Sequence, residues 1–192
     1  TLFRSFIRPE PHVVDVTVHA QPVHLGSLFD GNATHLQLLA DALSLGGLPS
    51  SVTDDIGKDL WAKMLYNCPL NALGAVLQVP YGHLGEDENS RVLMERIVRE
   101  VFQVMQGLGH ASHWPSAGDY LKDFYENLLP STYSHESSML QDIRAGRITE
   151  IEALNGVIVR EGRKLKIDIT CNETVRNQIL FLQKKPDDSR MD

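Results

Sequence analysis

Val14, Val16 and Val18 alternate with Asp15 and Thr17, and this period of two predicts a half-buried strand. Ala20-Gln21-Pro22 then predicts a turn into a short second strand, Val23 to Gly26. Leu36, Leu39, Ala40 and Leu43 recur at helical spacing, so a helix is expected over 33–45, with Asn32 as its N-cap and Gly46-Gly47 as its stop. Val52 is expected to add one more short strand. From Asp54 onward the period is helical. The first helix is expected over 55–79, ending at Pro80-Tyr81-Gly82, with a kink at Pro69, which has no N–H to give Leu65. The next, over 87–108, carries Val92, Leu93, Ile97, Val98, Val101, Phe102 and Met105 at core spacing. Further helices are expected over 117–128 (ending before Pro130), 137–145, 149–166 and 172–184, and the polar tail 186–192 is expected to fray. No internal repeat or low-complexity segment is visible.

Residues 1–53 supply two or three strands and one helix, too little to bury a core without a larger sheet to lean on. The chain opens at Thr1 in mid-pattern, as a piece of a longer protein would. Three segments are therefore expected: 1–53, a helical domain at 54–185, and the tail.

Composition narrows the partners. The 192 residues carry a net charge of −7, so no basic stripe is available for nucleic-acid phosphates or an anionic membrane surface. There is no run of 18 apolar residues and no signal-peptide pattern at the start. Cys68 and Cys171 make no disulfide framework, and reduced cysteines in a cytoplasmic protein are the expectation.

Candidate chemistry lies in two stretches. In the helix around Leu60 to Leu73, mostly apolar, Lys63, Asn67 and Asn71 are spaced by four. Each step of four turns about 40° on a helix, so one cation and two amides form a stripe down one face. Such a stripe in a buried helix needs partners, and a substrate is the expected one. The bland alternatives are a snorkelling Lys63 and amides that bond backbone. In the second stretch, Ser137-Ser138 opens a helix where free N–H groups favour an anion; after a break at Gly146, Thr149 opens another with Glu150 in its first turn. Plain capping by either serine and a dipole-complementing Glu150 are the alternatives there. Asn155-Gly156, expected in mid-helix, suggests close backbone packing. His110 and His113 have no third ligand nearby in sequence, so no metal site is expected.

The two signatures, W-x-K-x-x-x-N-x-x-x-N at Trp61 to Asn71 and S-S-M-x-Q-D-x-x-x-x-R-x-T-E-I-x-x-L-N-G at Ser137 to Gly156, together resemble the ketopantoate reductase (2-dehydropantoate 2-reductase) family. The resemblance spans nearly the whole chain. It implies a mainly α fold: a C-terminal helical domain of the 6-phosphogluconate dehydrogenase C-terminal-like type, preceded over 1–53 by a small α/β remnant of a Rossmann-type NADPH-binding domain. It implies NADPH-dependent reduction of a 2-oxo acid, 2-dehydropantoate to pantoate in pantothenate and coenzyme A biosynthesis, in a cleft between the two domains. By position, Lys63 resembles the general acid, Asn67 and Asn71 the substrate-binding asparagines, and Ser138 the substrate-anchoring serine. Glu150 resembles the essential glutamate near substrate and nicotinamide.

The chemistry suits these roles. Reducing a 2-oxo acid places negative charge on the carbonyl oxygen, which a lysine in a partly dry cleft can stabilise and protonate. Amides and a hydroxyl orient a carboxylate, and Glu150 can accept from a substrate hydroxyl and partner Lys63. The sequence departs from the family in three ways. No G-x-G-x-x-G occurs, so these residues alone are expected to bind NADPH poorly and not to turn over. Tyr81 follows Pro80 where a polar residue such as asparagine is expected, and Pro69 is unusual in the lysine helix. The competing readings are a non-catalytic helical module that pairs as a homodimer, and a reductase of another branched or aromatic 2-oxo acid.

Overall fold

The structure, a computed structural model, describes residues 4–10, 12–19, 22–29 and 33–184. The Asn32 cap, the Ala20-Gln21 turn and the tail 186–192 lie outside the described residues. The chain is mainly helical and forms two compact units, 1–63 and 64–192.

In the first unit, β1 (Arg4–Glu10) pairs antiparallel with β2 (Val13–His19). The alternation of valines predicts β2, but β1 was hidden from pattern reading. It has no clean period of two, contains Pro9, and its register shifts twice against β2. β3 (Val23–Leu25) and β4 (Ser50–Val52) pair in parallel, and α1 (Ala33–Leu45) connects them in the βαβ manner that a parallel pair requires. Within α1 Ala40 is fully buried, whereas Leu38, Leu39 and Leu45 remain exposed, as a sheet of two short strands would leave them. His24 Nδ1 meets Asp59 Oδ2 at 2.7 Å and ties β3 to the first turn of the next helix.

That helix, α2 (Ile56–Leu77), contains the dividing line between the units. Pro69, where the sequence predicts a kink, lies inside this helix without ending it. From Leu65 to Ala75 it is the core of the second unit: Leu65, Cys68, Leu70, Ala72 and Ala75 have no exposed surface. Its end is set by Gln78, in the left-handed region at φ 60°, whose side chain donates back to the Ala75 carbonyl at 2.6 Å. The chain then enters a short helix, α3 (Tyr81–Glu86), with Pro80 at its N-cap. Pro80-Tyr81-Gly82 therefore opens a helix instead of merely closing one, since a proline just before the first turn loses no hydrogen bond.

α4 (Glu88–Gly107) starts at Asp87, whose carboxylate accepts from the Ser90 N–H at 2.9 Å. Its buried face holds Met94, Ile97, Val98, Val101, Phe102, Val104 and Met105. Val92 and Leu93, expected in the core, are 46% and 40% exposed because they lie off the face that Ser90, Met94, Ile97 and Val101 bury. The predicted helix over 117–128 divides into α5 (Ala117–Asp123) and a π-helical turn at Phe124–Leu128, before a 3₁₀ turn at Pro130–Thr132. α6 (Ser138–Arg144) is capped by Ser137 and ends at Gly146, with φ 63°. No α-helix begins at Thr149: a 3₁₀ turn, Ile151–Ala153, precedes α7 (Asn155–Leu165). Asn155-Gly156 thus opens a helix instead of interrupting one. The close approach at Gly156 is to a side chain, since a Cβ there would stand 2.3 Å from Glu152 Oε2. α8 (Thr170–Leu182) completes the described chain.

Candidate active site

Two stretches 79 residues apart in sequence meet at one carboxylate. Asn71 Nδ2 on α2 donates to Glu150 Oε1 at 3.3 Å, and Ser138 Oγ in the first turn of α6 donates to the same oxygen at 3.2 Å. Glu150 is exposed and Asn71 is buried, so the charge sits at the rim while its amide partner is held within. Among the described residues, Oε2 of Glu150 accepts no hydrogen bond.

Each contributor is fixed locally. Ser137 Oγ accepts from the Leu140 N–H at 3.0 Å and donates to the Asn71 carbonyl at 3.4 Å, so Ser137 is the cap and Ser138 is left to Glu150. Before Glu150, the N–H and hydroxyl of Thr149 both donate to Gln183 Oε1, at 2.8 and 2.5 Å. After it, Asn155 Nδ2 donates to the Cys68 carbonyl on α2 at 3.1 Å and to Asn172 Oδ1 at 2.9 Å. The loop bearing Glu150 is thus tied at one end to α8 and at the other to the helix bearing Asn71.

A fourth member, unexpected from sequence, is Tyr81. Its hydroxyl donates to Asn71 Oδ1 at 2.5 Å. Its ring stands edge-on to those of Tyr66 and His135, and its N–H donates to the His135 carbonyl at 3.0 Å. Burial, with the nearby Tyr66 and Glu150, pushes the Tyr81 phenol well up. Burial, with the charge of Glu150, likewise pushes up the Cys68 thiol. Pattern reading could find Tyr81 only as a departure from the family. Its ten-residue separation from Asn71 fits no helical period, and the chain must reverse at Gln78 to bring the two together.

The rest of the stripe grades from exposed to buried. Lys63 is exposed, where a partly dry ammonium is expected; Asn67 is half-buried; Asn71 is buried. Asn67 makes no side-chain hydrogen bond among the described residues and lies outside the bonded group, one turn from Asn71. Lys63 lies a further turn back, about 12 Å along the helix from Asn71. No group of three or more metal-binding side chains occurs among the described residues.

A family description, "Ketopantoate reductase PanE/ApbA C terminal", matches residues 55–183, which hold every residue of this arrangement. The chain belongs to the ketopantoate reductase family. The 2-dehydropantoate 2-reductase of Aquifex aeolicus is 38% identical over 171 residues, 88% of this chain and 55% of that protein. The enzyme of the same name from Escherichia coli O157:H7 is 33% identical over 152 residues, 79% of this chain and 46% of its own length. The chain therefore spans about half the length of the curated relatives it matches. Among solved structures, a PanE/ApbA family ketopantoate reductase from Ralstonia eutropha superposes with a TM-score of 0.78 at 27% identity, covering 95% of this chain and 58% of that one. D-mandelate dehydrogenase, in a ternary structure with NADH and anilino(oxo)acetate, gives 0.73 at 27% identity, covering 83% and 52%.

Ketopantoate reductase membership raises the question of a dinucleotide. The polar groups gathered here are one carboxylate, one amide, one aliphatic hydroxyl and one phenol. A carboxylate at the centre does not suit a pyrophosphate, and no G-x-G-x-x-G turn is present in the 192 residues. The residues gathered at Glu150 do not fit the phosphates of the cofactor.

Proposed function

We propose that Lys63, Asn67, Asn71, Ser138 and Glu150 form the substrate side of a reductase that converts a 2-oxo acid to the 2-hydroxy acid at the expense of NADPH, and that the substrate is 2-dehydropantoate. The observation that carries this reading is the meeting of Asn71, Ser138 and Glu150 at one carboxylate oxygen. Capping explains Ser137 but not Ser138, and dipole compensation does not call for an amide and a hydroxyl on Glu150. The relatives' activity supports the reaction class.

In this reading Lys63 stabilises the charge that develops on the carbonyl oxygen and delivers the proton that makes it a hydroxyl. Asn67 brings an unspent amide to the substrate, and Asn71 directs an N–H toward it. Ser138 exchanges its bond to Glu150 for one to the substrate, and Glu150 accepts from a substrate hydroxyl. Glu150 also lies beside the nicotinamide, and the phosphates of NADPH are held by residues outside this set. We assign the protein to the cytoplasm, supported by two free cysteines and by the absence, among the described residues, of a helix long and apolar enough to cross a membrane. A homodimer is the expected assembly, and sedimentation tests it; a stable dimer with no affinity for any 2-oxo acid would favour the non-catalytic reading.

A second reading, an aromatic 2-oxo acid as substrate, is favoured by the similarity to D-mandelate dehydrogenase. The test is steady-state NADPH oxidation by the intact enzyme with 2-dehydropantoate and with phenylglyoxylate. Higher kcat/KM for the former is expected, and the reverse order would select the second reading. Lys63→Ala should lower kcat by about two orders of magnitude or more with unchanged NADPH affinity. Turnover retained in this variant removes Lys63 from the role of acid.

A further inference from the structure

The bond between Tyr81 and Asn71 does more than fill a buried position. A carboxamide offers an acceptor at one end and two donors at the other, and a half-turn about its last torsion exchanges them. Asn71 has Glu150 on one side and Tyr81 on the other. The carboxylate accepts only, so it selects the N–H₂ end. A phenol can accept as well as donate and would tolerate either end, but as a donor it completes the arrangement by satisfying Oδ1 at 2.5 Å. The ring is 3% exposed and held on two sides. Its backbone is pinned too: the N–H groups of Tyr81 and Gly82 donate to the carbonyls of His135 and Tyr133 at 3.0 and 2.8 Å. A Cβ at Gly82 would lie 2.3 Å from the Tyr133 ring, so the two segments approach as closely as a glycine allows. The hydroxyl is therefore delivered by a rigid support, and the phenol stays protonated, hence a donor, throughout the neutral range.

We propose that Tyr81 is a positioning residue that, with Glu150 selecting the N–H₂ end, locks the Asn71 carboxamide with Oδ1 inward, so that Asn71 presents only N–H to a ligand and the ligand group facing it is a hydrogen-bond acceptor, such as a carboxylate or carbonyl oxygen. This deepens the reductase reading and rests on it for the identity of the ligand. Donor groups of the ligand are left to Glu150. The site thereby reads a molecule with an acceptor and a hydroxyl at different ends of one short span.

The test is ¹⁵N NMR of the 192-residue chain, with the Asn71 side-chain signals assigned by their loss in Asn71→Asp. Tyr81→Phe keeps the ring and removes only the hydroxyl, so a role in packing alone would leave every readout unmoved. The expected result is that solvent exchange of the Asn71 Nδ2 protons rises at least about tenfold in Tyr81→Phe, while backbone signals away from residues 71 and 81 stay in place. With pantoate as the probe, its dissociation constant rises by about tenfold in the same variant, the loss expected for one hydrogen bond. Unchanged exchange and unchanged affinity overturn the proposal. Should Tyr81→Phe fail to fold, the wild-type chain decides. A slowly exchanging Tyr81 hydroxyl proton with a through-space contact to Asn71 supports the proposal, and a rapidly exchanging one overturns it. A wild-type chain whose Asn71 and Ser138 signals ignore pantoate counts against the substrate reading, while the exchange measurement still judges the orientation of Asn71.

Discussion

Glu150 owes its place to neighbours that carry no charge. Thr149 directs two donors at Gln183 Oε1, and this backbone N–H has no other acceptor among the described residues. Gln183→Leu keeps much of the volume and removes the acceptor, so two donors are left without a protein partner. A loss of about 1–3 kcal/mol is expected from the urea midpoint; a variant as stable as the wild type contradicts the anchoring. His135 adds a pH signature beside Tyr81. Burial lowers its pKa, with Glu136 opposing, so the fold favours the neutral ring. The unfolded chain then binds more protons as pH falls below about 6.5, and stability declines there until the lowered folded value is passed. His135→Gln should flatten that acid slope, as denaturation at successive pH values would show. At this scale the sequence singles out Lys63, Asn67 and Asn71 by their spacing of four, and Ser138 and Glu150 by their places at helix starts; the fold brings Asn71, Ser138 and Glu150 together and leaves Lys63 and Asn67 outside that bonded group. Tyr81, Gln183 and Asn155 act through contacts made only after the chain has folded back, and no local period marks them.

The elements were legible wherever apolar positions recur over several turns. α2, α4 and α8 fall within two residues of the ends that periodicity predicts. The failures are short elements made by tertiary contact. β1 is specified by its pairing with β2 and α3 by backbone bonds to the 133–135 segment, and neither has a period of its own. The stretch after Thr149 reads as one helix because Ile151, Leu154 and Ile158 fit a helical spacing, yet a 3₁₀ turn displaces the start to Asn155. The reason lies in a buried network. Glu100 on α4 accepts from the N–H groups of Cys171 and Asn172, capping α8 from a distant helix, and Asn172 Nδ2 donates to Glu100 Oε2 at 2.7 Å. Asn172 then receives Asn155, which in turn reaches α2. Asn172→Leu removes this hub and leaves Glu100 short of a donor. A destabilisation of about 3 kcal/mol or more is expected, with proteolysis or amide exchange showing α7 and α8 loosened together; loss confined to α8 would contradict the link.

At the scale of the whole molecule, the second unit is rich in buried phenols, and they set an alkaline limit. Burial pushes Tyr66 up to about 12, partly offset by its bond to Thr132, and pushes Tyr81 and Tyr120 well up too. The unfolded chain loses these protons near pH 10 and the folded one does not. Their contribution is therefore complete below about pH 10 and is lost as pH rises toward the folded values, by up to about 1.4 kcal/mol per pH unit for each tyrosine. Denaturant midpoints should fall steeply between about pH 10 and 12; a flat profile would mean that these hydroxyls reach solvent. In the proposed reading the second unit supplies substrate contacts, and no G-x-G-x-x-G turn occurs in the 192 residues. Titrating NADPH against the 192 residues should accordingly show little binding, and micromolar affinity would place a nucleotide site among them. The claim on which the rest depends is that the Glu150 carboxylate faces the substrate. Its most direct test is Glu150→Gln in the intact enzyme, assayed for 2-dehydropantoate reduction. This change keeps the shape and the bonds that Asn71 and Ser138 can make but removes the charge. The account predicts a fall in kcat/KM of about two orders of magnitude with stability nearly unchanged; wild-type turnover by this variant would contradict it.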